Sequence, residues 1–216
     1  MSHFDVLPLF STPVSICTLD DKFSGMGELL QKAELHERAK GSESSYELRG
    51  TFSKDRYILN QDIFAEFKQE LTGLCEYFAT NIMGLADIEL GITQSWVNVK
   101  DTGQKHEPHR HPNSFISAVY YWQDDIVPMT FHRDSNWFPD TFDHEINYDN
   151  YESPKFYAEE HQIALGKNQL VIFPSNIIHS VDYNLSEVKR YCLGFNTFPK
   201  AIGSYYGLTR LEVDRL

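Results

Sequence analysis

From Ile88 onward the sequence is a succession of short β-rich runs separated by turn residues. They are GITQSWVNV (91–99), FISAVYYW (115–122), PMTFH (128–132), NQLVIFP (168–174), HSVDYN (179–184) and RYCLGFNTF (190–198). Strands this short and this closely spaced cannot form one isolated ribbon; they stack as a β-sandwich or jelly roll. The first part of the chain differs. Residues 5–17 carry apolar β-formers broken by Pro8 and Pro13, which fits an edge strand. Two helical patterns follow, one over 22–40 and a stronger one over 62–85 in which Asp62 is placed as an N-cap and Phe64, Phe67, Leu71, Leu74, Phe78 and Ile82 recur every three or four residues. The expectation is a mainly β (α+β) chain with N-terminal helices packed on one sheet.

A chain of 216 residues, 41% hydrophobic and 14% aromatic, can bury one sizeable core, so a single domain is expected over 1–216. Within it, 1–87 would supply the N-terminal strand and supporting helices, 88–198 the jelly-roll core and 199–216 a C-terminal tail. The stretch 132–162 interrupts the strands with about thirty residues, acidic and aromatic, too long for a hairpin turn. It reads either as a lid over a site or as a surface excursion with its own aromatic cluster. The net charge of −12, with no basic cluster, opposes nucleic acid or an anionic membrane as a partner. The opening MSHFDVLPLF lacks the basic start and unbroken apolar run of a secretion signal, and three scattered cysteines do not suggest a disulfide framework. A cytoplasmic protein is expected.

The segment GQKHEPHRHPNSFISAVYYW packs His106, His109 and His111 into six residues just before a β-run. Residues i and i+2 of a strand project to one face about 6–7 Å apart, close enough for a slight twist to bring their tips to one ion. His109 and His111 have that spacing, while His106 alone reads as a supporting or exposed histidine. A third imidazole, His179, begins the run after the turn that closes NQLVIFP. Three ligands from two parts of a β-scaffold leave other coordination positions open, as mononuclear non-haem iron sites require. The competing reading of HRH is a solvent-exposed polar turn. Eleven residues past His179, Arg190 opens a core-facing strand, where its fixed charge needs a carboxylate, either that of a ligand or that of a local acid such as Glu187.

Taken together, GQKHEPHRH, SAVYYW, His179 and Arg190 resemble the iron(II)- and 2-oxoglutarate-dependent dioxygenases, in particular their prolyl-hydroxylase-like branch. The order and spacing match over roughly residues 94–198, about half the chain. The wording HPNS…YYW with LVIFPS…HSV…R…FN is similar to a bacterial and phage subgroup of uncharacterised 2-oxoglutarate oxygenases. The resemblance implies a double-stranded β-helix of the jelly-roll or cupin-like kind. It implies His109 and His179 as metal ligands, Arg190 as the group gripping the far carboxylate of 2-oxoglutarate, and Tyr121 as a hydrogen-bond donor to the same carboxylate. It sets Asn196 in the lining of the cosubstrate pocket and Asn98 toward its metal-chelating end.

The departure is at His111, where most of that superfamily carries Asp or Glu. A neutral imidazole there removes one negative charge from the metal site. Glu107 and Asp182 stay open as alternative third ligands, with His111 favoured by its place in the motif. The activity implied is hydroxylation of a C–H bond with Fe(II), 2-oxoglutarate and O2, releasing succinate and CO2, on a peptide, a protein or a small molecule; a homodimer is left open. The competing class is a three-histidine cupin-like dioxygenase without 2-oxoglutarate, or a non-catalytic metal-binding jelly roll. Arg190 and Tyr121 discriminate, since a site without 2-oxoglutarate has no need of them.

Overall fold

The computed structural model describes residues 11–36, 50–86, 88–124, 127–133, 160–203 and 210–213. Strands β1 (Ser15–Thr18), β2 (Thr51–Phe52), β3 (Leu90–Lys100), β4 (His106–His109), β5 (Ile116–Tyr121), β6 (Met129–His132), β7 (Glu160–Ile163), β8 (Gln169–Pro174), β9 (Ile178–Val181) and β10 (Arg190–Pro199) form two sheets. The larger is ordered β1-β8-β5-β10-β3-β2 and the smaller β4-β9-β6-β7, with the paired strands antiparallel throughout. The arrangement is the double-stranded β-helix expected from the sequence.

Period-2 alternation explains how one sheet serves two cores. On β5, Ile116, Ala118 and Tyr120 turn to one side, as do Leu170 and Ile172 on β8 and Leu193 and Phe195 on β10. They pack against helix α2 (Ala65–Tyr77) through Phe67, Leu71 and Cys75. The intervening residues Val119, Tyr121, Val171, Phe173 and Cys192 face the smaller sheet and meet Met129, Phe131 and Val181. Each large side chain so buried contributes about 1.5–3 kcal/mol. The candidate site residues His179, Arg190 and Asn196 lie on this inner side.

The N-terminal elements differ in part from expectation. The edge strand exists as β1 beside β8, while residues 5–10 lie outside the described residues. The pattern over 22–40 does not make one helix. A short turn at Asp21–Phe23 leads into helix α1 (Met26–Leu30), after which the chain bends away and Leu35 bridges Ser53; residues 37–49 lie outside the described residues. Gly27, a poor helix former, sits inside α1 because a Cβ there would fall 2.1 Å from the Trp122 ring. In the second pattern Asp62 is not the N-cap. It begins a 3-10 turn (Asp62–Phe64) that feeds α2, neither preceding residue makes a side-chain cap, and the helix ends in a π-helical turn at Phe78–Ile82. Phe64, Phe67, Leu71 and Phe78 are buried as the periodicity predicted, but Ile82 is exposed. Of the 132–162 segment, residues 134–159 lie outside the described residues, so the lid expectation falls there. In the tail, Ala201–Ile202 pairs with Leu211–Glu212.

Candidate metal centre

His109 and His179 are Cα partners across β4 and β9, which holds their imidazoles side by side, tilted by 52°, in the inner space. His111 does not share a strand with His109, contrary to the i, i+2 expectation. Strand β4 ends at His109, and His111 lies in the following turn, where its backbone N–H donates to Ser175 O at 3.0 Å. Asn113, at φ 57°, takes the left-handed conformation that asparagine tolerates and turns the chain back toward β5. The result is nonetheless a cluster: a ring nitrogen from each of His109, His111 and His179 lies within 4.8 Å of the others. Among the described residues, neither Glu107 nor Asp182 joins this group. The Glu107 carboxylate pairs with Lys105 at 2.9 Å instead.

The donor chemistry fits a divalent metal. His109 Nδ1 is 2.8 Å from the carbonyl of Glu107, and His179 Nδ1 is 3.0 Å from that of Ile177. His111 Nδ1 is 2.6 Å from Asn196 Oδ1 and 2.9 Å from Ser117 Oγ. Carbonyl and amide oxygens only accept, so each Nδ1 carries the proton and each Nε2 keeps a lone pair for a metal. Burial, with His109 nearby, pushes His179 down to about 3, and burial lowers His111 as well. Both shifts favour the neutral ring, the form that ligation requires. Aromatic rings enclose the cluster: Phe173 lies edge-on to His179 at 4.8 Å between centroids, and Trp96 lies 5.8 Å from His111. His106 stacks on His109 at 4.1 Å, consistent with support, and burial and then Lys100 strongly suppress its protonation.

Farther along the inner face of β10 sits Arg190, 9% exposed. Its guanidinium donates to the Tyr121 hydroxyl at 3.4 Å and lies 5.3 Å from that ring's centroid. The sequence-derived pair is thus brought together. Asn98 accepts from Trp96 Nε1 at 3.1 Å and lies 3.6 Å from Cys192 Sγ, also on the inner face. Asn196 is directed at His111. Ser117, Ser175 and Ser114 were missed by sequence reasoning. The available signal was Ser117 itself, a polar residue within the apolar run FISAVYY, which must find partners if buried.

Residues 94–196 match the family model described as "Putative 2OG-Fe(II) oxygenase". No curated protein sequence matches the chain. Among solved structures, the fold is similar to the non-heme alpha ketoglutarate dependent epimerase SnoN from nogalamycin biosynthesis, at TM-score 0.59 and 15% identity, covering 88% of this chain and 80% of that one. It is similar to a Pseudomonas putida prolyl-4-hydroxylase at TM-score 0.55 and 15% identity, covering 87% and 94% respectively. A prolyl hydroxylase from Trichoplax adhaerens, solved with a hypoxia inducible factor oxygen degradation domain peptide fragment, matches at TM-score 0.57 and 15% identity, covering 88% and 85%.

Proposed function

We propose that this chain, a 2-oxoglutarate- and Fe(II)-dependent oxygenase by its residues 94–196, hydroxylates a C–H bond of a peptide, protein or small-molecule substrate through a site built from His109, His111, His179, Arg190 and Tyr121. The observation that carries the site is the grouping of three imidazoles, each with Nδ1 hydrogen-bonded to an acceptor and Nε2 left to ligate. Fe(II), when bound with 2-oxoglutarate and O2, supplies the oxidising chemistry, in which one oxygen atom enters the substrate and the other enters succinate as CO2 leaves.

The chain's own residues have three tasks. His109, His111 and His179 hold the metal with neutral donors. Arg190 offers its fixed charge and planar fork to the far carboxylate of 2-oxoglutarate, while Tyr121, accepting from Arg190, directs its own hydroxyl hydrogen to the same group. Phe131, Phe173, Met129 and Val181 keep water from the inner space and so favour ordered cosubstrate over solvent.

The test is anaerobic addition of Fe(II) and 2-oxoglutarate to metal-free protein, followed by visible absorption. A weak charge-transfer band that requires both additions, and that Arg190→Ala weakens at fixed 2-oxoglutarate, is expected. If metal binds but no band forms on adding 2-oxoglutarate, the site is instead that of a three-histidine protein without 2-oxoglutarate.

A further inference from the structure

His111 is the ligand candidate that lies beyond the end of its strand, so the sheet ladder that orients His109 and His179 does not orient it. An imidazole in a turn has two tautomers and two ring orientations, and only one combination aims a bare Nε2 at the other two rings. Two buried side chains select that combination. Asn196 and Ser117 are Cα partners on β10 and β5, both buried on the inner face, and both reach His111 Nδ1. Ser117 also donates to Asn196 Oδ1 at 2.8 Å, so that oxygen accepts from two sides.

The network extends outward and is fixed at every step. Ser117 Oγ is 2.8 Å from Ser175 Oγ, which is 2.7 Å from Ser114 Oγ. Ser175 O in turn accepts the His111 backbone N–H. The β10–β3 register shifts between Asn196 and Thr197, and Thr93 Oγ1 donates to the Asn196 carbonyl at 3.2 Å. The extra residue is Thr93 on β3, whereas β10 stays in unbroken register with β5 through Asn196 and Thr197, so ordinary alternation keeps Asn196 on the inner face.

Building on the metal site argued above, we propose that Asn196, assisted by Ser117, is the positioning residue that makes His111 the third metal ligand. Its Oδ1 holds the His111 Nδ1–H and commits Nε2 to the metal. The device stands in for what a carboxylate ligand would do unaided: a carboxylate has no tautomer to choose, whereas an imidazole does. Donation into a short hydrogen bond also makes the ring a more basic donor.

The experiment is Co(II) titration of the metal-free full-length protein, read by the visible d–d bands, for the wild type, Asn196→Leu, Asn196→Asp and Ser117→Ala. Asn196→Leu, which keeps the side-chain size but cannot accept, should weaken Co(II) by about 10- to 100-fold and alter the bands. Asn196→Asp, whose oxygens only accept, should restore both, and Ser117→Ala should give a smaller loss. Wild-type affinity and bands in Asn196→Leu would overturn the proposal, as would a loss in Asn196→Asp equal to that in Asn196→Leu. If thermal melting shows Asn196→Leu unfolded, Ser117→Ala decides: weakened Co(II) supports the proposal and unchanged Co(II) overturns it. Adding 2-oxoglutarate to the Co(II)-loaded wild type separates the two readings. No spectral response there would count against the oxygenase assignment while leaving the Asn196 result intact.

Discussion

His109 and His179 oppose each other across β4 and β9, with ring centroids 4.3 Å apart. Because this pairing is fixed by the sheet, two of the three proposed ligand positions are set by folding itself, before any metal arrives. Metal affinity then depends on the third donor.

Accordingly, His109→Ala and His179→Ala should each abolish stoichiometric iron after anaerobic loading. Their losses should exceed the about 10- to 100-fold that removing a ligand's hydrogen-bond partner costs. His111→Ala should lose iron as well. His111→Asp should keep it, since a carboxylate is a competent ligand for Fe(II). Glu107→Ala should leave iron content unchanged because that carboxylate is engaged by Lys105. Iron measured after desalting checks all five variants.

Arg190 and Tyr121 lie away from the imidazoles and should separate cosubstrate binding from metal binding. Removing one partner of a buried charge pair costs about 2–5 kcal/mol, so Arg190→Ala should raise KM for 2-oxoglutarate by at least about 30-fold. Tyr121→Phe removes one hydrogen bond, about 0.5–1.5 kcal/mol, and should raise it by about 2- to 10-fold. Iron content should be unchanged in both. Succinate release at varied 2-oxoglutarate is the measurement; an iron loss equal to that of His179→Ala would place these residues in the metal site instead.

Most strands were legible because they are buried, which leaves near-continuous apolar runs such as Ile116–Tyr121 and Leu170–Phe173, whereas β7 is exposed over Glu160–Gln162 and left no such run. The helix over 22–40 was over-extended because its apolar spacing is real, but the residues after Leu30 leave the helix and Leu35 bridges Ser53, a long-range pairing that local spacing does not encode. At the site, the candidate residues could be named from the sequence, whereas how they are mounted could not. The end of β4 before His111 and the bulge beside Asn196 are matters of register between strands distant in sequence, which local pattern does not encode. The tie between His111 and Asn196 spans 85 positions, so only folding reveals it.

The cysteines should behave as packing residues. Burial raises the Cys75 thiol far above its ordinary range, and burial followed by Glu70 raises Cys17. Since the thiolate is the nucleophile, a raised pKa means less reactive form at any given pH below it. At pH 8, iodoacetamide should leave Cys75 unmodified in the folded protein and modify Cys17 more slowly than a free thiol. In denaturant both should react at the free-thiol rate. Peptide mass mapping after timed quenching reads both; rapid native labelling of Cys75 would contradict the packing described.

Two glycines should respond oppositely to alanine. A Cβ on Gly27 would sit 2.1–2.4 Å from three Trp122 side-chain atoms, an overlap that forces either α1 or the indole to move. Overpacking of this kind costs about 1–3 kcal/mol, and because α1 carries Leu30 into the outer core, the displacement should propagate beyond the contact. Gly73 lies mid-way along α2, is exposed, and has nothing within 4 Å of a built Cβ. There alanine relieves the backbone entropy cost of a helical glycine, a gain of about 0.5–1 kcal/mol. Gly27→Ala should therefore lower Tm and Gly73→Ala raise it, while both keep the iron content of the wild type because neither residue touches the inner face. A Tm that falls with Gly73→Ala would mean that α2 has a neighbour on its outer side.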